Sequence, residues 1–187
     1  MSEPARSADD LFPEGRAVAF RESGPPSAYV GCMASDTVTY VDTGPHRVSR
    51  RIVVDAPAAD VFALIVNPHR HPELDGSGTV RDTAVKGPEM LTPGARFSVG
   101  MKQFGVPYTI TSTATEVDTD RVVEWKHPMG HRWRWDLVAT SPTTTQVTET
   151  FDYSTLKFPK IVELIGYDKK NGQGIEGTLR ALAHRFG

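Results

Sequence analysis

The sequence predicts an α+β domain in which a curved antiparallel sheet wraps one long C-terminal helix. Three observations carry this. Turn residues recur roughly every 10–15 residues between Gly87 and Thr143 with no helical gap, the pattern of a strand meander. The hydrophobic period then changes from 2 to 3.6 after Pro159, where Ile161, Leu164, Ile165, Ile175, Leu179, Leu182 and Phe186 form an apolar stripe. Ahead of the meander, one strand is followed only by short helical stretches.

The elements follow in order. Residues 1–46 hold Pro4, Pro13, Pro25, Pro26 and Pro45 with scattered Gly and Ser, and sustain neither period. They read as a mostly irregular tail, and Met33 would itself make a plausible start, so residues 1–32 are expected to be dispensable. The domain spans 47–187. Strand one runs Arg47–Val54. Asp55-Ala56-Pro57 opens a helix with Pro57 at its first position, and Val61, Leu64 and Ile65 form its buried face. Asn67-Pro68 ends it, and a second short helix or turn follows in PHRHPELDGSG. Strands two to seven are expected at Thr79–Lys86, Arg96–Phe104, Tyr108–Val117, Arg121–His127, His131–Ala139 and Gln146–Tyr153. Gly172, Gly174 and Gly177 interrupt the helical stripe. Each costs about 1 kcal/mol relative to Ala in a helix interior. They mark either a loop between two helices, or close backbone approach to the sheet, or space left for a ligand.

Composition narrows the function classes. The chain has 187 residues, 39% hydrophobic and 24% charged, with a net charge of −2. Overall it offers no field to draw nucleic acid or an anionic membrane. No stretch approaches the roughly 20 apolar residues of a membrane helix, so no membrane insertion is expected. The single cysteine, Cys32, excludes an intramolecular disulfide and a cysteine-built zinc site, and fits the cytoplasm. The AYVGC segment around it is a poor lipoprotein signal, with Tyr29 where an aliphatic residue is wanted and no hydrophobic run before it.

Hairpin arithmetic places side chains on faces. With a turn at 128–130, Trp125 faces Trp133 and His127 faces His131. With a turn at 140–144, Trp135 faces Glu149, Trp133 faces Phe151 and His131 faces Tyr153. Phe97, Val99, Met101, Tyr108 and Ile110 share that face. Aromatic residues there could simply pack. However, Glu149, His131, His127 and Ser112 are interleaved with them, and a dry core would not tolerate those groups without partners. A concave apolar surface with a few polar groups is how small-molecule sites are built. The expected ligand-binding residues are Phe97, Val99, Met101, Tyr108, Ile110, Trp125, Trp133, Trp135, Glu149, Phe151, Ile175 and Leu179.

At this point a family emerges. RRIVVDAPAADVFALIVNPHRHPELDGSGTV resembles the opening of the START-like, or SRPBCC, superfamily, in particular its polyketide cyclase/dehydrase-like branch. EVDTDRVVEW is similar to that family's hairpin between strands four and five, and GIEGTLRALAHRF to the start of its covering helix. The resemblance spans residues 47–187. It implies a helix-grip fold of seven strands, two short helices after strand one, and a C-terminal helix over a cavity. It also implies lipid, polyketide or aromatic ligands, and it brings no universal catalytic residue.

The leading functional reading is therefore binding or transport of an apolar or aromatic small molecule. One alternative is a cyclase- or dehydratase-type enzyme without metal or nucleotide cofactor. Its candidate acid and base are Glu149 and His131, which sit four residues apart along the sheet and so form no direct dyad. A second alternative is a regulatory module that docks protein partners. No cofactor is expected. His127 and His131 could share a metal, but no third ligand is evident. His69 and His71, between Pro68 and Pro72, read as surface or capping residues. No phosphate loop, nucleotide motif or nucleophile elbow occurs. Oligomeric state is left open, a homodimer included.

Overall fold

A computed structural model describes residues 37–76, 80–103 and 106–187, with residues 80–84, 102–103 and 106–107 described by backbone alone. The tail through residue 36, with Cys32 and Met33, lies outside these residues.

One antiparallel sheet holds β1 (Thr39–Val41), β2 (Arg47–Val54), β3 (Val80–Lys86), β4 (Arg96–Gln103), β5 (Val106–Asp118), β6 (Val122–Lys126), β7 (Arg132–Ser141) and β8 (Thr144–Asp152). Its order is β1-β2-β8-β7-β6-β5-β4-β3. The described residues thus give eight strands, not seven. The added one, β1, lies inside the stretch read as irregular. It is three residues long and is followed closely by Gly44-Pro45, too short for a period to show. Its Tyr40 pairs with Arg50 on β2, whose guanidinium carbon sits 3.5 Å from the ring centroid, a cation–π contact. The first helix, α1 (Ala58–Ile65), begins one residue later than expected, because Pro57 is its cap and not its first helical residue. A 3-10 helix, Pro68–Glu73, follows it.

The expected register holds in the centre of the sheet: Trp125 pairs with Trp133, Trp133 with Phe151, and Trp135 with Glu149. The last turn is tighter than expected, closing at Ser141–Thr144 with a bulge beside Ala139. A second register shift, between Ala114 and Glu116 on β5, lets Ala114 pair with Trp125 and Val117 with Val123. Both Ala114 and Val117 therefore face inward despite their odd spacing.

The helix α1 packs over β6, β7 and β8. Here Val54, Val61, Leu64, Val123, Leu137, Val147, Leu179 and Leu182 are each at most 4% exposed, so this end of the domain is dry. Each such side chain contributes about 1.5–3 kcal/mol by leaving water.

The C-terminal stripe divides into α2 (Pro159–Leu164) and α3 (Tyr167–Phe186). The break is at Gly166, in the left-handed region at φ +69°, and α3 runs unbroken through Gly172, Gly174 and Gly177. GIEGTLRALAHRF is therefore the later part of the covering helix, which begins at Tyr167. At α2 the apolar stripe faces outward. Ile161, Leu164 and Ile165 are 52%, 86% and 68% exposed, and Val162 is the buried residue. Glu163 explains the orientation: its carboxylate accepts from Tyr153 at 3.2 Å and pairs with His46 Nδ1 at 2.8 Å, which holds the Val162–Glu163 side against the domain.

Two of the helix glycines mark close approach. A Cβ on Gly177 would lie 2.8 Å from the Gly76 carbonyl oxygen and 2.9 Å from its Cα, and Gly76 N–H donates to Thr178 Oγ1 at 3.2 Å. A Cβ on Gly172 would lie 2.9 Å from Arg50 Nη2. Gly177→Ala gains helix propensity but must displace backbone, and we expect a net loss of about 1–3 kcal/mol in urea unfolding. Gly172→Ala meets the end of the Arg50 side chain and, at 3.3 Å, Val48 Cγ1, but no backbone, and should cost less. Equal stability of wild type and Gly177→Ala would show that the Gly76 loop yields freely.

Candidate ligand cavity

Beyond the dry end, α3 and the sheet stand apart and enclose a cavity of about 410 Å³. Its wall includes Phe97, Val99 and Met101 of β4, Tyr108 and Ile110 of β5, Trp125 of β6, Trp133 and Trp135 of β7, Glu149 of β8 and Ile175 of α3, all expected from the sequence. His131, His127 and Ser112 also line it. Two expected residues do not. Phe151 is fully buried behind the rings of His131, Trp133, Tyr153 and Tyr167, with centroids 5.0–6.0 Å away. Leu179 lies one turn past Ile175 and belongs to the dry core.

Several wall residues were missed. His71 is not a surface residue. The 3-10 helix carries it back over the sheet, where its ring stacks on Trp125 at 5.1 Å and meets Phe97 edge-on at 5.8 Å. His71 Nε2 donates to the Ile65 carbonyl at 2.8 Å, which fixes the tautomer, and burial pushes its pKa below the ordinary value. By contrast His69 is exposed and reaches the Gly87 carbonyl, as a surface residue would. From α3 come Tyr167, Lys170, Asn171, Gln173, Gly174 and Thr178. Tyr167, Asn171, Gly174 and Thr178 continue the stripe of Ile175 upstream and downstream at helical spacing, so their positions were legible, but their polar side chains broke the apolar count.

Glu149 is the least explained group in the wall. It is 5% exposed, and its Oε2 has no hydrogen-bond partner among the described residues. Its cross-strand neighbours are Arg50 on β2 and Trp135 on β7. Arg50 does not serve it: that guanidinium bonds Glu176 Oε1 at 3.1 Å and the Ser49 carbonyl at 2.9 Å. Trp135 Nε1 is likewise buried and has no partner among the described residues. Burial, reinforced by the Asp75 charge, raises the Glu149 pKa well above the usual carboxylate range and favours the protonated form.

His127 and His131 close the far end of the wall. Their rings stack at 4.1 Å with 14° between planes. Parallel rings point their in-plane nitrogens side by side and do not converge on an ion, and His127 Nδ1 already accepts from Met129 N–H at 3.1 Å. Among the described residues no three His, Cys, Asp or Glu side chains gather as a metal site. Burial, with His127 adding to it, pushes the His131 pKa down to about 3.

Fold and cavity together define a helix-grip protein, an eight-stranded antiparallel sheet closed over an internal chamber by its C-terminal helix. The chain belongs to the family described as polyketide cyclase/dehydrase and lipid transport, whose model matches residues 45–187. It is 52% identical over 157 residues to the uncharacterized protein Rv0088 of Mycobacterium tuberculosis, covering 80% of this chain and 68% of that one. Among solved structures it resembles protein Ms6760 of Mycobacterium smegmatis, with 15% identity, a TM-score of 0.58 and coverage of 81% of this chain and 100% of that one. It also resembles the di-domain ARO/CYC protein BexL of the BE-7585A biosynthetic pathway, with 18% identity, a TM-score of 0.52 and coverage of 74% and 45%. At these identities the structural likenesses speak for the fold alone.

Proposed function

We propose that the protein binds a neutral, largely apolar or aromatic small molecule that carries one polar oxygen. The observation that carries this reading is the Glu149 carboxyl, buried in an aromatic wall of the cavity with its Oε2 unpartnered among the described residues. Oε2 is sealed in the wall, so the ligand meets the acid through its other oxygen, with the Trp and Phe rings stacking on the apolar body. A cavity of this size suits a compact ring system or a short acyl chain.

Turnover is the second reading, and one observation favours it. A carboxylic acid kept protonated in a closed apolar site is the form a general acid takes in dehydration or cyclisation. His131, kept neutral, lines the same cavity but at its other end, so the two would act on separate parts of one ligand.

Tryptophan emission tests occupancy. Trp125, Trp133 and Trp135 all face the cavity, so titration with flat aromatic ketones and with short fatty acids should quench or shift their fluorescence saturably. Saturation by the ketones and not by the ionised acids is the expected result. A panel that leaves emission unmoved throughout would remove the ligand reading.

A further inference from the structure

We infer that α2 and the β6–β7 turn form a docking face for an anionic lipid surface at the cavity's mouth. Phe158, Ile161, Leu164 and Ile165 follow one another at helical spacing and are 52–86% exposed. This is the face of an amphipathic helix, turned toward solvent. Met129, 75% exposed at the tip of the β6–β7 turn, extends it. The two pieces are tied together: Thr155 Oγ1 donates to the Gly130 carbonyl at 3.1 Å, and Leu156 packs against Gly130. Both border the cavity, since His127 and His131 flank the turn and Tyr167 begins the helix after Gly166, and all three line the wall. Contiguous exposed apolar groups of this kind mark interaction surfaces.

Charge identifies the partner. Although the whole chain is at −2, four of its seven lysines fall between residues 157 and 170: Lys157, Lys160, Lys169 and Lys170. The only acids in that span are Glu163 and Asp168, so the span carries a net charge of +2, with Lys157, Lys160 and Lys169 outside the cavity and Lys170 lining its wall. Exposed apolar side chains framed by lysines, whose long stems let the ammonium groups reach up to phosphates, match the boundary between lipid headgroups and acyl chains. No helix among the described residues is long and apolar enough to cross a membrane, so this is contact with a surface and not insertion across it. The inference does not depend on which molecule fills the cavity.

The test is flotation of the full chain with phosphatidylcholine vesicles, with and without phosphatidylglycerol. Binding is expected only with the anionic lipid and should weaken with salt. Ile161→Glu with Leu164→Glu should lower the partition coefficient at least about tenfold at unchanged melting temperature. Lys157→Glu with Lys160→Glu should lower it about 20-fold or more, and it reads the same docking through charge if the first pair perturbs the fold. No binding to anionic vesicles, or binding untouched by both pairs, overturns the inference. So does a dimer that Leu164→Glu dissociates, which would make a second copy the occupant. Slow amide exchange across residues 158–165 without vesicles would assign the face to the chain's own remaining segment. Tryptophan quenching by a ligand with no vesicle binding would leave the cavity reading standing and this one refuted.

Discussion

Acidification below pH 6.5 should unfold the protein progressively, and His131→Phe should remove much of that sensitivity. The sign follows from the folded pKa of about 3. In the unfolded chain His131 takes up its proton near 6.5, while in the folded chain it resists until about 3, so the unfolded state binds more protons throughout that window. Stability is full above 6.5 and is lost as pH falls toward 3. The ring's share is on the order of 5 kcal/mol, at about 1.4 kcal/mol per pH unit. His71 and His127 are lowered in the same direction and add to it. Phe keeps a ring against His127 and Phe151 and cannot titrate. Urea midpoints of the two proteins at pH 7 and pH 4 give the measurement. Equal losses in wild type and His131→Phe would show that the acid lability lies elsewhere.

Glu149→Met should stabilise the domain at neutral pH and weaken ligand binding about tenfold. A raised folded pKa has the opposite consequence to that of His131. The unfolded carboxyl ionises near its ordinary value while the folded one keeps its proton, so stability falls as pH rises above about 4.5. Met has a similar shape, carries no unpaired polar atom and removes this slope. It also removes one hydrogen bond to the ligand, worth about 1–1.5 kcal/mol. Glu149→Gln mimics the neutral acid, so it should bind nearly as the wild type does while also flattening the pH dependence. If the protein is an enzyme with Glu149 as its acid, Gln preserves binding and abolishes turnover. Should Glu149→Met instead destabilise the protein, the carboxyl has a structural partner and the proposed contact fails.

Much of this was legible in the sequence because the hairpins are short. A turn at 128–130 fixes Trp125 opposite Trp133, and once one pair is set, the period of 2 carries the register to Glu149. What alternation does not give is depth. Phe151 has the right parity for the cavity, but four surrounding rings close it off. Nor does parity reveal contacts from distant segments: His71 reaches Trp125 only because the 3-10 helix folds back over the sheet. The stripe of Ile161, Leu164 and Ile165 is helical as the period predicts yet faces solvent, since a hydrophobic period fixes which residues share a face and not what that face meets. The tie from Glu163 to His46 spans most of the chain and leaves no local signal.

The split between a dry end and a hollow end separates two demands that most small domains must meet with the same residues. Cooperative folding draws on α1, Leu137, Val147 and Leu182, where truncation of a buried leucine costs about 2–5 kcal/mol. Val99, Met101 and Ile110 border empty space, and exchanging them for larger or smaller apolar groups reshapes the chamber without opening the core. A lineage built on this sheet can therefore wander through ligand preferences while its folding machinery stays under constant selection, so relatives should diverge fastest at the hollow end and slowest under α1.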